Sequence, residues 1–291
     1  MGEYCLYEVD RGAKMATITF NRPEKLNAAA TQDWQEITAR VIEAEKDEDV
    51  KVIILKGAGA CFGAGHDVAD LGPHHGWGKS TDRRPSQRRR MVFDDNVFWG
   101  RRGLLQTILY CDKATIAQVH GYCYGGHHEL ALSCDLVLAS EDAQFTHPGY
   151  RYIGPLGAIT LFILTMGVRK TKEMMLTGTP LSAQEAWQCG LINKVVPLDK
   201  LEEEVNEIAK TIALQPFDAI AIGKANIELA LDILGVGAGY TAGYIGHTLQ
   251  TNIRYEPDEF NLFKAKKDKG LKEAFTEREE RYSGAPLRKT H

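Results

Sequence analysis

Two glycine-rich turns carry the residue types in this chain that are best suited to chemistry. The first reads CFGAGHD at positions 61–67, and the second reads HGYCYGGHHE at positions 120–129. Because glycine has no side chain, a ligand can approach such a backbone closely. A helix that starts at such a turn offers free N–H groups and a partial positive charge. Two such turns side by side would aim two N–H groups at one developing oxyanion, whereas the alternative is that both are tight structural turns.

Titratable side chains gather around these turns. Glu129 is the last residue of the second turn, three positions after Gly126, where a carboxylate can face a bound substrate and hold water. Four histidines are close by in the sequence, and imidazole suits proton transfer or water activation near neutral pH. We take His127 and His147 as the leading candidates for a catalytic histidine, with His66 and His128 behind them. Neighbouring histidines point in different directions on a helix, so we predict no metal site.

The elements that must position these turns are strands alternating with helices. Strands are predicted at residues 15–20, from alternating apolar residues, and at 52–55, from a continuous apolar run that indicates burial on both faces. Two more are predicted at 114–119 and 136–139. Thr31 is expected to cap a helix that buries Trp34, Ile37 and Val41. Further helices are predicted at 127–133, 161–166, 183–189, 201–214, 217–234 and 270–282.

This order of elements predicts an α/β fold with parallel strand pairing. The strand signal ends near residue 198, so we divide the chain into an α/β core, residues 1–200, and a helical C-terminal subdomain, residues 201–291.

Composition narrows the class of protein. The 291 residues include 35 Lys and Arg against 39 Asp and Glu, a net charge of −4, which disfavours a general nucleic-acid surface. No apolar run approaches the roughly 18 residues that cross a bilayer. The first residues lack the apolar core of an export signal, so we expect a cytoplasmic protein. The six cysteines form no CxxC pair and are expected to be reduced and mostly buried.

One segment, residues 72–103, is different. It carries a cluster of arginines. The segment is either a solvated part of the surface or a lid that contacts an anionic ligand. A third, less favoured interpretation is that these arginines bind RNA. The aromatic stretch that follows either lines a pocket for a bulky acyl group or belongs to the core, which we favour. The arginines are Arg83, Arg84, Arg88, Arg89 and Arg90, and the apolar residues are Phe93, Val97, Phe98 and Trp99.

The motifs together resemble those of the crotonase (enoyl-CoA hydratase/isomerase) superfamily. The similar stretches are ITFNRPEKLNA at 18–28, residues 52–71 with CFGAGHDVADL, residues 114–145, and residues 171–197 with MMLTGTPLSAQEAWQCGLINKVVP. The resemblance covers nearly the whole chain in the right order. It implies a spiral of stacked ββα units and a helical C-terminal subdomain used as a lid and in assembly, as a homotrimer or a dimer of trimers.

The resemblance also implies a ligand and a site. The ligand is an acyl-CoA thioester, so CoA enters with the substrate and no separate cofactor is expected. The backbone N–H groups of His66 and Gly126 would hold the thioester oxygen as an enolate forms, and Glu129 matches one of the two glutamates of the hydratases. The CoA portion would lie near Lys25, Leu26, Ala64, Phe263 and Lys266.

The chain departs from the hydratases at the second glutamate. That position falls on Gly149 or Tyr150, neither of which is a carboxylate; Tyr150 can still hydrogen-bond or donate a proton. Hydration or dehydration of an enoyl-CoA, with Glu129 as acid and base, is the leading hypothesis. The first alternative is a hydrolase of the carbon–carbon bond of a β-diketone or ring ketone, with His127 or His147 as base. The second is a non-catalytic RNA-binding homologue.

Overall fold

The computed structural model describes residues 4–70, 87–147, 150, 157–250 and 254–282, with the main chain alone at positions 87, 89, 90, 93, 94 and 263. Among the described residues, short strands alternate with helices as far as residue 196, and the elements after it are all helices. The described strands are β1 (Cys5–Asp10), β2 (Met15–Phe20), β3 (Val52–Gly57), β4 (Ala114–Val119), β5 (Tyr122–Tyr124), β6 (Leu136–Ser140), β7 (Gln144–Thr146), β8 (Leu181–Ser182) and β9 (Lys194–Val196).

The helices cover the sheets and form the C-terminal region. They are α1 (Thr31–Lys46), α2 (Gln87–Val97), α3 (Leu104–Leu109), α4 (Gly126–Ser133), α5 (Ile159–Thr177), α6 (Ala183–Gln188), α7 (Leu201–Ala213), α8 (Phe217–Ile233), α9 (Val236–Gln250), α10 (Leu262–Lys269) and α11 (Leu271–Tyr282). In the part of the chain that is described, no helix is long and apolar enough to cross a membrane.

The strands form two sheets, which the chain enters in a repeating order. The larger one has the strand order β1-β2-β3-β4-β6-β9 and is parallel except for β1, and the smaller has the order β5-β7-β8. The chain places one strand in the large sheet and the next in the small sheet before a helix follows, as β4, β5 and α4, and again as β6, β7 and α5. This order confirms the predicted α/β fold and its ββα spiral.

The predicted two-sided burial of β3 is confirmed. Ile53 and Leu55 belong to the main core with α1, whereas Val52 and Ile54 face a second core formed with α7. All four are at most 3% exposed. The sheet is therefore sandwiched between helices, which explains a strand with no polar face. All six cysteines are free thiols, and four of them are buried.

The start of α1 differs from the prediction. The helix does bury Trp34, but its N-cap residue is Ala30, and Asp33 accepts the Ala30 N–H at 2.7 Å. Thr31 is the first helical residue, and its hydroxyl donates to the Asp70 carboxylate at 2.8 Å. Thr31 is thus not the cap, because its hydroxyl fastens α1 to the segment after the first glycine-rich turn.

Candidate active site

The two glycine-rich turns lie side by side. The first turn pairs with β5, since Phe62 N–H donates to His120 O and Gly63 N–H to Tyr122 O, both at 2.8 Å. Tyr124 N–H returns a bond to Gly63 O at 2.9 Å. Because β5 lies within the second turn and leads directly into α4, this pairing holds both turns at one end of the parallel strands.

His66 and Gly126, the predicted oxyanion donors, are neighbours at this junction. An ideal Cβ added to Gly126 would lie 2.7 Å from the His66 ring. Ala29 pairs with the residues on both sides of His66, donating to Gly65 O and accepting from Asp67 N, so the His66 N–H points away from that pairing. Gly126 begins α4, where an N–H has no acceptor within the helix. Neither N–H donates to a main-chain carbonyl among the described residues; their convergence on one oxygen stays a prediction.

Glu129 is a fully enclosed carboxyl group on the first turn of α4, only 1% exposed. Both of its oxygens accept the indole N–H of Trp99 at 3.1 Å, and one also accepts the Ala158 N–H at 3.3 Å. Burial raises the pKa of Glu129 to about 8, although these donors pull it down. A carboxyl group with a pKa near neutrality can accept a proton and return it under physiological conditions.

Trp99 makes a contact with Glu129 that sequence reasoning did not predict. The prediction that 97–99 belong to the core is confirmed, because all three side chains are buried, while the Phe93 side chain lies outside the described residues. The Trp99 indole also contacts Glu129, and a Cβ at Gly157 would overlap it. Thirty residues separate Trp99 from Glu129, so no local pattern signals the contact.

The His127 ring hydrogen-bonds to the protein through both of its nitrogens. Its ring is fully buried, Nδ1 accepts the Gly65 N–H at 3.1 Å, and Nε2 lies 3.2 Å from the Tyr4 hydroxyl. Burial, with a smaller effect of the His66 ring, lowers the pKa of His127 to about 3. Protein groups engage both ring nitrogens, so this geometry does not favour His127 as a base, and that role stays a prediction.

His128 and His147 are also buried. His128 packs between the rings of Phe145 and Phe162, at 5.6 and 4.9 Å between centroids, and burial lowers its pKa to about 4. Burial first, and then the other histidines, hold the pKa of His147 well below its ordinary value. His147 is therefore neutral at pH 7, the form a base requires, and its chemical role stays a prediction.

Two further histidine rings flank Trp99. The His66 ring packs against Trp34 and Phe98, at 4.9 Å from each, and burial followed by the nearby His247 lowers the pKa of His66 to about 3. His247, from α9, lies 4.4 Å from the Trp99 ring. Sequence reasoning missed His247 because it did not predict α9. Both histidine rings thus contact Trp99, whose indole N–H donates to Glu129.

The residues expected to bind CoA fall into two groups. Ala64 N–H donates to Leu26 O at 2.9 Å, and the exposed Lys25 ammonium lies 3.2 Å from Asp67, so three of them meet at the rim of the first turn. On α10, Lys266 is held by its own chain, because its ammonium donates to Val68 O at 2.6 Å and burial lowers its pKa. The Phe263 side chain lies outside the described residues.

In the described part of the chain, no second buried carboxylate is hydrogen-bonded with Glu129. Among the described residues the only other buried one is Asp33, which pairs with Arg22 at 2.7 Å. Tyr150 is 57% exposed, and Gly149 lies outside the described residues. Within the described ranges, no cluster of three His, Cys, Asp or Glu side chains is arranged to hold a metal ion.

Most of the arginine cluster lies outside what the structure describes. Arg83 and Arg84 fall in the undescribed residues 71–86, and the side chains of Arg89 and Arg90 are likewise not described. Arg88 is exposed on α2.

Known proteins are similar to this chain in sequence and in fold. Residues 10–278 match the family described as "Enoyl-CoA hydratase/isomerase". A Mycobacterium tuberculosis protein named as an enoyl-CoA hydratase, EchA13, is 33% identical over 85% of this chain and 80% of its own length. The short-chain-enoyl-CoA hydratase of Clostridium acetobutylicum is 30% identical over 76% of this chain and 80% of its own length. The crystal structure of an enoyl-CoA hydratase/isomerase from Xanthobacter autotrophicus Py2 is 30% identical and covers 96% of this chain and 98% of its own, with a TM-score of 0.80. The motifs, the stacked ββα units and these similarities agree, and the chain belongs to the enoyl-CoA hydratase/isomerase family of the crotonase superfamily.

Proposed function

We propose that this protein is an enoyl-CoA hydratase that adds water across the double bond of a 2-enoyl-CoA, and removes it in reverse, with Glu129 as acid and base. The observation that carries the proposal is the enclosed Glu129 carboxyl group, with a pKa of about 8, three residues from the Gly126 N–H on the first turn of α4. The family match and the hydratase names of the similar proteins support the same reaction.

One carboxyl group is sufficient for a balanced reaction. The Glu129 carboxylate takes a proton from water as the water oxygen bonds to the β-carbon, and the displaced electrons reach the thioester oxygen as an enolate. The His66 and Gly126 N–H groups stabilise that oxyanion, and each such donor contributes about 3 kcal/mol to lowering the barrier. Protonated Glu129 then returns its proton to the α-carbon, so H and OH have been added and the carboxylate is restored. No cofactor is consumed, because CoA is part of the substrate.

We propose that the rim formed by Lys25, Leu26 and Ala64 contacts the CoA portion. Lys25 supplies an exposed positive charge there, which suits the phosphates of CoA. Lys266 and α10 lie beside the same segment and would border the CoA portion through packing, since the Lys266 ammonium already binds Val68 O.

The test is loss of the enoyl absorbance of crotonyl-CoA. We expect turnover by the wild-type protein and a loss of about 100-fold or more in kcat for Glu129→Gln, which can neither accept nor return the proton. Glu228→Gln is the matched control, because it removes another carboxyl group whose pKa is raised, to about 7, from α8. Absence of turnover at high enzyme concentration, or an undiminished kcat in Glu129→Gln, would refute the proposal.

The alternative functions predict other results. A carbon–carbon hydrolase would now depend on His147, because both His127 nitrogens are engaged, and it would cleave a β-diketone while leaving crotonyl-CoA intact. An RNA-binding homologue would show RNA affinity that falls steeply with salt and disappears when the five arginines between 83 and 90 become alanine.

We also propose that α8 mediates self-association into a homotrimer or a dimer of trimers. No residue of α8 is buried in the single chain. Four of its large aliphatic residues are each 61–79% exposed: Ile222, Ile227, Leu229 and Ile233. So many exposed aliphatic side chains on one helix are typical of an interface between subunits. A cytoplasmic location and the division of the chain at residue 200 stay predictions.

A further inference from the structure

The buried His127 ring connects the two turns that carry the predicted oxyanion donors. His127 directly follows Gly126 in the chain, and its Nδ1 binds the N–H of Gly65, which directly precedes His66. His127, the neighbour of Gly126, therefore binds Gly65, the neighbour of His66. The contact spans 62 positions of sequence and is buried.

The hydrogen bonds determine the tautomer of this ring. The Gly65 amide can only donate, so Nδ1 must carry a lone pair and the proton must be on Nε2. Nε2–H then donates to the Tyr4 oxygen at 3.2 Å, and the Tyr4 hydroxyl donates to Asn27 O at 2.6 Å. The resulting chain of three hydrogen bonds runs in one direction from Gly65 to Asn27, and each polar group has a definite partner.

The ring also has a dedicated space. A Cβ at Gly63 would overlap it, so only glycine at that position admits the imidazole. The rings of Phe20 and Trp34 lie 5.1 and 4.8 Å from it and prevent it from turning. Burial keeps the imidazole neutral, with a pKa of about 3, so Nδ1 stays an acceptor well below physiological pH.

We propose that His127 is a positioning residue for catalysis: its neutral Nδ1 fixes the Gly65 main chain and thereby aims the adjoining His66 N–H at the thioester oxygen. This inference rests on the proposed function, because it takes the His66 and Gly126 amides as the oxyanion donors. His127 does not itself touch the substrate.

Replacing His127 with asparagine or with glutamine tests the two ring nitrogens separately. Asparagine places Oδ1 where Nδ1 lies, whereas glutamine places its amide near Nε2 and leaves Gly65 without its acceptor. We expect His127→Asn to keep kcat close to the wild-type value. We expect His127→Gln to lose up to about 100-fold in kcat, the effect of a misplacement of about 1 Å in a preorganised site.

Affinity for free CoA distinguishes positioning from general damage. Free CoA has no thioester oxygen, so its Kd should be equal in the wild type, His127→Asn and His127→Gln. A glutamine variant with full kcat, equal losses of kcat in both variants, or a loss of kcat matched by weaker CoA binding would overturn the inference.

Two measurements keep this test separate from the hydration test. Exchange of the α-hydrogens of butyryl-CoA in D2O reports enolate formation without addition of water, so the variants can be compared by it even if crotonyl-CoA is not hydrated. Nitrogen-15 NMR of histidine-labelled wild type reads the tautomer directly, whether or not the variants fold. The inference predicts Nε2–H with an unprotonated Nδ1 at His127, and a proton on Nδ1 would contradict it.

Discussion

Replacing Trp99 with phenylalanine tests how the protein controls the charge of Glu129. The indole N–H lies 3.1 Å from each carboxylate oxygen, and a phenylalanine ring cannot make these hydrogen bonds. A hydrogen bond to a charged group contributes about 1.5–3 kcal/mol, which corresponds to roughly one to two pKa units. Because a single N–H is shared between two oxygens, we expect the lower end, about one pKa unit.

The direction of the change follows from the form that Trp99 stabilises. Its N–H favours the ionised carboxylate, so Trp99→Phe raises the pKa of Glu129 above about 8. The reaction starts from the carboxylate, so kcat/KM for crotonyl-CoA rises with pH through this pKa. The assay is therefore the pH dependence of kcat/KM, in which the inflection moves to higher pH by about one unit in Trp99→Phe.

Trp34→Phe is the matched control for this prediction. Trp34 belongs to the same aromatic cluster, but its indole nitrogen has no hydrogen-bond partner among the described residues. Trp34→Phe removes the same side-chain volume without removing a hydrogen bond to Glu129. Its kcat/KM can therefore change, while the pH of the inflection should stay that of the wild type. An unchanged or lowered inflection in Trp99→Phe, or an equal movement in Trp34→Phe, would show that the Trp99 N–H does not stabilise the Glu129 carboxylate.

Three other predictions concern stability and assembly. The folded protein favours neutral Glu129, whose pKa rises from an ordinary 4.5 to about 8, so the corresponding stability is complete below about pH 4.5 and is lost as the pH rises through 8. The unfolding free energy of Glu129→Gln should thus increase by several kcal/mol relative to that of the wild type as the pH rises from about 5 to 8. Plots of unfolding free energy against pH that run parallel for the two proteins would contradict this. Gly63→Ala should lower the Tm, because its Cβ would overlap the His127 ring. A double-mutant cycle of Gly63→Ala with His127→Gly should give a coupling free energy of about 0.5–3 kcal/mol, and strictly additive effects of the two substitutions on the unfolding free energy would contradict the overlap. Ile222→Asp combined with Ile233→Asp should convert the assembly to smaller species in light scattering, and an unchanged mass would rule out α8 as the interface.

Local pattern predicted four of the six strands of the large sheet, but none of the short strands of the small sheet and only some of the helices. The strands Met15–Phe20 and Ala114–Val119 have the predicted bounds, because their apolar runs stop at strong turn signals. Helix α5 was expected to end at Met166, but it kinks at Gly167, which has a φ of 74°, and continues to Thr177. Helix α9 contains four glycines and was not predicted; tertiary contacts stabilise it, such as the buried Tyr240 hydroxyl 3.1 Å from Ser133.

The site was predictable to the extent that its residues lie in motifs. Glu129, His66 and Gly126 were singled out from the two turns and the family resemblance. The contact of Trp99 with Glu129 and that of His247 with Trp99 could not be predicted, since only the folded chain brings these distant positions together. Residue type alone suggested a base at position 127, but the type does not reveal whether a ring nitrogen faces substrate or protein.

The most direct test of the whole account is a crystal structure with acetoacetyl-CoA, whose enolate resembles the proposed intermediate. The account predicts the thioester oxygen at hydrogen-bond distance, about 2.7–3.2 Å, from the main-chain nitrogens of both His66 and Gly126, with the Glu129 carboxyl group facing the α-carbon. A thioester oxygen bound by only one of these nitrogens or by neither, or an acyl chain directed away from Glu129, would contradict it.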